Sequence, residues 1–233
     1  ENIYLTTFIG ILFIIGMTWI CWKGIELSAR SQVLLLGTEL IVLAIFAVIA
    51  FSKALGNGIE RTVDGVTYKS VKPSLSWMSP SGVNSSAIIA GLVVAVFIYW
   101  GWDTCVSVNE EAKDSATTPG RAAVLSTLIL LAIYLIVTYG AVSMLGPDFV
   151  TDNADEALFQ LGKVALPTIM VKLLVISILT SAAASCQTTI LPATRTMLSM
   201  GSHGAAPAKL ARIDPKRLTP DFSTWLFGIG SIV

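Results

Sequence analysis

Near the middle of the sequence, a run of aromatic and apolar residues carries both a glycine and an acid: Phe97-Ile98-Tyr99-Trp100-Gly101-Trp102-Asp103. A charged group inside an apolar span costs at least about 2.5–3.5 kcal/mol on insertion scales, so those that persist face a cavity or a partner. Gly101 weakens a helix at that point. An interrupted helix offers bare N–H and C=O groups to a ligand, a state tolerated only where they line a cavity. The chemistry on offer is recognition by main-chain dipoles between aromatic walls, not bond breaking. One reading is therefore a helix broken near 98–103. The other keeps the helix intact, with Gly101 packed on a neighbour and Asp103 hydrated near the cytoplasmic end.

Other polar residues interrupt apolar sequence. Glu39 lies one or two turns into a span, where desolvation raises a carboxyl's pKa and suits it to carry a proton; the alternative is a carboxyl paired with a polar neighbour near the surface. Ser177, Ser181, Ser185 and Thr189 are spaced four apart and share one helix face, with Thr180 and Thr188 flanking them. Such a stripe lines a pathway or supplies hydroxyl ligands to a cation. Equally, its members serve close helix packing or bond their own i−4 carbonyls. Asn109-Glu110-Glu111 ends the third span with acid that opposes the helix dipole. A basic partner is expected there, and Arg121 or Arg195 would close a cytoplasmic latch.

Several chemistries have no support. The sequence has no Gly-x-x-x-x-Gly-Lys-Ser/Thr loop, no His-Glu-x-x-His and no Gly-x-Ser-x-Gly. Cys21, Cys105 and Cys186 lie in apolar stretches without metal-ligand spacing and read as small buried residues. His203, between glycines, reads as a loop histidine. No enzyme, metal or cofactor is expected. The 15 Lys and Arg cancel the 15 Asp and Glu, so no field favours nucleic acid.

The elements that must hold these residues are membrane helices. Of 233 residues, 54% are hydrophobic and only 13% charged, against about 25% charged in soluble domains; mean hydropathy is +0.76. A bilayer core takes about 20 apolar residues per helix. The spans expected are 3–22, 31–52, 83–109 (broken near 98–103), 122–145 and 171–200, with another starting at 225. They form a single all-α transmembrane domain over 1–233, a polytopic helix bundle. A short surface helix is expected at about 153–164, capped by Asp152 or Asn153. The long connection 53–82 reads as a loop with a hairpin around Val63 to Tyr68. Trp19, Trp22 and Trp225 read as interfacial anchors. The chain opens at Glu1 directly into a span, without a signal peptide, and is expected to be an internal piece of a larger membrane protein. Lys23, Arg30, Lys113, Arg121, Arg195, Lys209, Arg212, Lys216 and Arg217 fall on one side, so loops 23–30, 110–121 and 195–221 are expected in the cytoplasm. Lys53, Arg61, Lys69 and Lys72 blur that bias from the other side.

Phe97-x-x-x-Gly101-Trp102-Asp103, then Asn109-Glu110-Glu111-x-Lys113 and Pro119-Gly120-Arg121, resembles the sixth helix and following loop of amino acid permeases in the amino acid–polyamine–organocation (APC) superfamily. Arg195-Thr196-Met197-Leu198-Ser199-Met200, with Gly204, Pro207 and Thr219-Pro220, resembles the end of that family's eighth helix and the loop into the ninth. The resemblance covers the fourth helix to the start of the ninth. It implies part of a LeuT-type inverted-repeat fold, in which the substrate's amino and carboxyl groups meet unwound backbone of the first and sixth helices. By position, Phe97 looks like the aromatic gate. Ile98, Tyr99, Trp100, Gly101 and Trp102 look like the unwound, substrate-binding stretch, and Ser185 and Thr189 like eighth-helix positions near the substrate. Glu39 falls where some proton-coupled relatives carry a lysine, a departure that reverses the charge. With Asp103 it is the candidate coupling group; Thr180 and Ser181 resemble hydroxyl ligands of a sodium site. After Gly204 the family pattern often has an acid before the glycine, where this chain has His203.

The resemblance implies a secondary transporter of amino acids or related amines in the plasma (inner) membrane, working by alternating access with a proton, an exchanged substrate or a sodium ion. The alternative of another class is a non-transporting scaffold or accessory subunit with the same helices. An open channel is disfavoured by the bulky aromatics around Gly101. Which amino acid is carried, and in what oligomeric state, the sequence leaves open.

Overall fold

The computed structural model describes residues 3–101 and 103–232. Its helices follow the apolar runs: α1 Ile3–Lys23, α2 Ile25–Leu55, α3 Ser85–Ile98, α4 Asp103–Ser107, α5 Thr118–Asp152, α6 Ala157–Ala165, α7 Thr168–Ser202 and α8 Asp221–Gly230. Among the described residues, α1, α2, the stretch Ser85–Ser107, α5 and α7 are long and apolar enough to cross a membrane. Between α2 and α3, β1 Glu60–Val63 pairs antiparallel with β2 Val66–Lys69. Asp64 and Gly65 make the turn, both at positive φ (49° and 82°), the conformation a two-residue hairpin needs. The chain divides into two compact units.

One unit comprises 38–100 and 127–178. Its core joins Phe46 and Ala50 of α2 to Met144, Leu145 and Phe149 of α5, Leu161 of α6 and Leu174 of α7. Burying a side chain of that size is worth about 1.5–3 kcal/mol, so this cluster anchors the hairpin as well: Tyr68 meets Phe149 edge to face at 5.0 Å. Tyr68 also donates to Asp152 Oδ2 at 2.8 Å. That bond to a carboxylate, together with burial, holds the phenol above its ordinary pKa. α5 kinks at Gly146 (φ 89°), next to Pro147. Proline lacks the N–H that would bond the carbonyl four residues back, here that of Ser143. The connection supplies the substitute, with Val71 N–H donating to the Ser143 carbonyl at 3.0 Å. Ser70 Oγ donates to the neighbouring Met144 carbonyl at 2.9 Å.

The expected cap of the surface helix is corrected. Asp152 is engaged by Tyr68, and Asn153 Nδ2 donates back to the Phe149 carbonyl at 2.9 Å. A 3-10 turn at Ala154–Glu156 intervenes, and α6 starts after Glu156 without a side-chain cap.

The other unit comprises 1–37, 101–126 and 179–233, and its interior is notably polar. Gln187, fully buried, donates to the Ser28 carbonyl at 2.7 Å and to the Ser28 hydroxyl, and accepts from Ser31 Oγ at 3.0 Å. Gln32 Nε2 donates to the Ala184 carbonyl at 3.0 Å. These bonds tie the first turns of α2 to α7. At the other face, α1 lies against α8: Thr219 Oγ1 donates to the Trp22 carbonyl at 3.0 Å, and Trp22 meets Trp225 at 5.9 Å. Arg217 stacks 3.8 Å above the Trp22 ring. Asp214 pairs with Arg217 at 2.5 Å, and its carboxyl is held below the usual range, first by the Lys216 backbone N–H. Cys21 is buried, but Cys105 and Cys186 are only half-buried, so the three thiols are not equivalent.

α1 and α8 approach closely at Gly228, where a Cβ would overlap the Thr18 side chain. Thr18 is fully buried, and its Cβ would itself lie 2.9 Å from the added atom, so no change of rotamer relieves the overlap. Gly228→Ala is therefore expected to destabilise by about 1–3 kcal/mol, read as a lower thermal midpoint in detergent, with Thr18→Ala restoring part of the loss by removing Oγ1 and Cγ2 but not the Cβ contact.

Candidate functional site

The helix that leaves Asn84 begins with a firm cap: Asn84 Oδ1 accepts the backbone N–H groups of Ser86 and Ala87 at 2.7 and 3.1 Å. It runs to Ile98, then loses regularity. Tyr99 closes it with φ −89° and ψ 2°, its N–H reaching the Ala95 and Phe97 carbonyls. Trp100 N–H turns back to the Phe97 carbonyl at 3.2 Å, and Gly101 sits at φ 118°. That value is open to glycine and strained for any L side chain. Helix resumes at Asp103 as α4. The sequence 97–103 thus holds two helical ends rather than one continuous helix, with carbonyls at the first and N–H groups at the second.

On the α3 side, Phe97 and Trp100 are 65% and 70% exposed and their rings lie 6.5 Å apart. They form an open aromatic pair, while Tyr99 turns the other way onto Tyr134 of α5. Tyr134 Oη donates to the Ile98 carbonyl at 3.2 Å. A cavity of about 730 Å³ opens beside Tyr99 and Tyr134, walled also by Trp77, Met78, Leu131 and Tyr139. Glu39 is half-buried on α2 in this same unit.

On the α4 side, Asp103 starts a helix, where a carboxylate is favoured. Its Oδ1 is buried and without a hydrogen-bond partner among the described residues. α4 is tied to α7 through Thr104 Oγ1, which reaches the Thr188 carbonyl at 3.5 Å. That carbonyl lies four residues before Pro192, so it lacks its helical donor. Trp102 lies outside the described residues.

The hydroxyl stripe of α7 divides. Ser177 is buried and Ser181 and Thr180 are half-buried, whereas Ser185 and Thr189 are exposed. Thr189 Oγ1 donates to the Ser185 carbonyl at 2.9 Å, and Thr188 Oγ1 to those of Ala184 and Ser185, both at 3.1 Å. These threonines thus bond their own helix. The buried polar residue at the centre of α7 is Gln187, which the four-residue stripe did not include. Its signal was available: a long amide in apolar sequence, one turn from Ala183 and Leu191, which are themselves buried.

Beyond α4, Arg195 and Glu111 meet. Arg195 Nε donates to Glu111 Oε1 at 2.9 Å and Nη2 lies 2.8 Å from the same oxygen, the side chains being 9% and 26% exposed. Arg195 Nη1 also donates to Thr194 Oγ1 at 3.3 Å. Glu110 is exposed and lines, with Asn109, Ser199, His203 and the apolar Leu198 and Ile213, a cavity of about 630 Å³. Arg121 is exposed and makes no ion pair among the described residues. Among them there is also no cluster of side chains suited to a metal ion.

Removing one partner of a mostly buried pair leaves the other charge unsatisfied. Glu111→Gln is expected to lower the unfolding free energy in detergent by about 1–3 kcal/mol, and a double-mutant cycle with Arg195→Gln should show coupling. Additive losses would mean that the two side chains act independently.

The family model described as "Amino acid permease" matches residues 1–233. The branched-chain amino acid permease BcaP of Bacillus subtilis is 21% identical over 227 residues, which is 95% of this chain and 45% of that protein. An uncharacterized transporter of Mycobacterium tuberculosis is 24% identical over 218 residues, 91% of this chain and 44% of that protein. The chain thus spans about half the length of the curated relatives it matches.

Proposed function

Because this chain belongs to the amino acid permease family, an integral membrane family, we propose that it supplies one part of a secondary transporter for amino acids or related amines. The observation that carries the reading is the break at Tyr99–Gly101 in an otherwise apolar span. A zwitterion in hydrocarbon needs acceptors for its ammonium and donors for its carboxylate. The end of α3 offers the acceptors, in carbonyls that lack an intrahelical donor, without placing a fixed charge in the membrane. Ile98, Tyr99 and Trp100 are the proposed carbonyl side, and Gly101 and Trp102 complete the proposed substrate-binding stretch. Phe97 closes over the substrate as its aromatic gate. Ser185 and Thr189 are proposed to approach it through their oxygen atoms.

In this reading transport proceeds by alternating access, driven by a proton or by exchange. Glu39 and Asp103 are the proposed coupling groups, and a sodium site at Thr180 and Ser181 is the competing proposal. The loops 23–30, 110–121 and 195–221 face the cytoplasm, where Glu111 and Arg195 latch the closed side and Glu110 and Arg121 form its exposed rim. The name of the Bacillus relative makes branched-chain amino acids the first substrates to try.

In proteoliposomes of the full-length protein, Phe97→Ala should lower uptake of a radiolabelled amino acid about tenfold, the worth of one aromatic contact, while expression persists. Unchanged uptake would remove the gate. If the protein is instead a scaffold, no amino acid in the panel will be taken up or raise its thermal midpoint. For the coupling group, Glu39→Gln should flatten the pH dependence of uptake; a profile identical to the wild type would assign Glu39 a structural role.

A further inference from the structure

We infer that Tyr134 is a positioning residue for the broken segment, holding the Ile98 carbonyl and the Tyr99 ring in the arrangement that meets substrate. The inference rests on the transport reading above and adds to it a residue on α5, outside the segment itself.

Two contacts of different kinds converge. The Tyr134 hydroxyl donates to the Ile98 carbonyl at 3.2 Å, and its ring meets Tyr99 edge to face, with centroids 5.5 Å apart and planes at 84°. Ile98 is the last residue of α3, so its carbonyl is among those a helix end leaves without an intrahelical donor. A phenol donates one hydrogen bond, and a carbonyl oxygen has two lone pairs. Tyr134 therefore occupies one acceptor site and fixes the direction of the other, which takes no hydrogen bond among the described residues and is left for an ammonium group. The ring contact adds a second constraint on the next residue, so the segment cannot rotate about the Ile98–Tyr99 link without losing both.

Tyr134 sits in α5 well before its kink at Gly146, so a regular element positions an irregular one. The bond is not an automatic consequence of a tyrosine in that wall. Tyr139 lines the same cavity, and its buried hydroxyl finds no partner among the described residues.

The test uses the full-length protein. Tyr134→Phe keeps the ring on Tyr99 and removes only the donor; Tyr134→Leu removes both. With Tyr134→Phe, the KM for the transported amino acid should rise about three- to tenfold, the factor of one hydrogen bond, with Vmax within about twofold of wild type. Amide exchange over 98–104 should accelerate by a similar factor while α1 and α8 keep their rates, and Tyr134→Leu should exceed Tyr134→Phe on both counts. Wild-type KM, wild-type exchange over 98–104, or acceleration spread over the whole chain would each overturn the proposal. If the wild type moves no amino acid, the transport reading fails by itself. The exchange arm then still decides whether Tyr134 orders the segment.

Discussion

A carbonyl released from its helix inside hydrocarbon has no water to turn to, and each such group left unpaired costs several kcal/mol. Among the described residues, three carbonyls released from a helix find a donor in another element. Pro147 frees the Ser143 carbonyl, and the Val71 N–H takes it. Pro192 frees the Thr188 carbonyl, and Thr104 Oγ1 reaches it. The end of α3 frees the Ile98 carbonyl, and Tyr134 Oη takes it. In each case the donor comes from a separate element. Satisfying the backbone therefore also fixes where that element lies within its unit: the loop against α5, α4 against α7, and the end of α3 against α5.

The two units meet this demand in different materials. One is built around an apolar core in which Phe46, Met144, Phe149 and Leu174 are nearly inaccessible. The other is held by buried polar groups, with Gln187 fully engaged by Ser28 and Ser31. A satisfied polar network is rigid and specific, and a half-satisfied one is worse than an apolar contact. The same logic gives weight to Asp103, whose buried Oδ1 lacks a donor among the described residues.

Much of this was legible in the sequence. The apolar runs fix the spans because burying charge in lipid is so costly. Gly101 among aromatics, two residues before an acid, marks the break, because glycine is the residue that accepts φ 118°. A hairpin was legible in the long connection, although its strands, Glu60–Val63 and Val66–Lys69, begin before the expected stretch from Val63 to Tyr68. The family follows from motifs spread along the chain. What sequence could not supply were partners distant in the chain. Nothing local to Val71, Thr104 or Tyr134 says which carbonyl each serves. Arg195 is paired with Glu111, whereas Arg121 had equal standing from charge alone. Helical spacing grouped Thr189 with three serines, yet its hydroxyl returns to its own helix, and the polar residue that matters for packing is Gln187, on another face. The expected cap at Asp152 fails because Tyr68, far away in sequence, claims that carboxylate.

The account turns on the main chain around Gly101 being the part that grips substrate. Amide hydrogen exchange of the full-length protein, with and without a saturating amino acid, measures this directly. The account predicts slowed exchange concentrated in residues 98–107, with the hairpin and α6 unaffected. Protection confined to other helices, with 98–107 exchanging as fast with ligand as without, would contradict it.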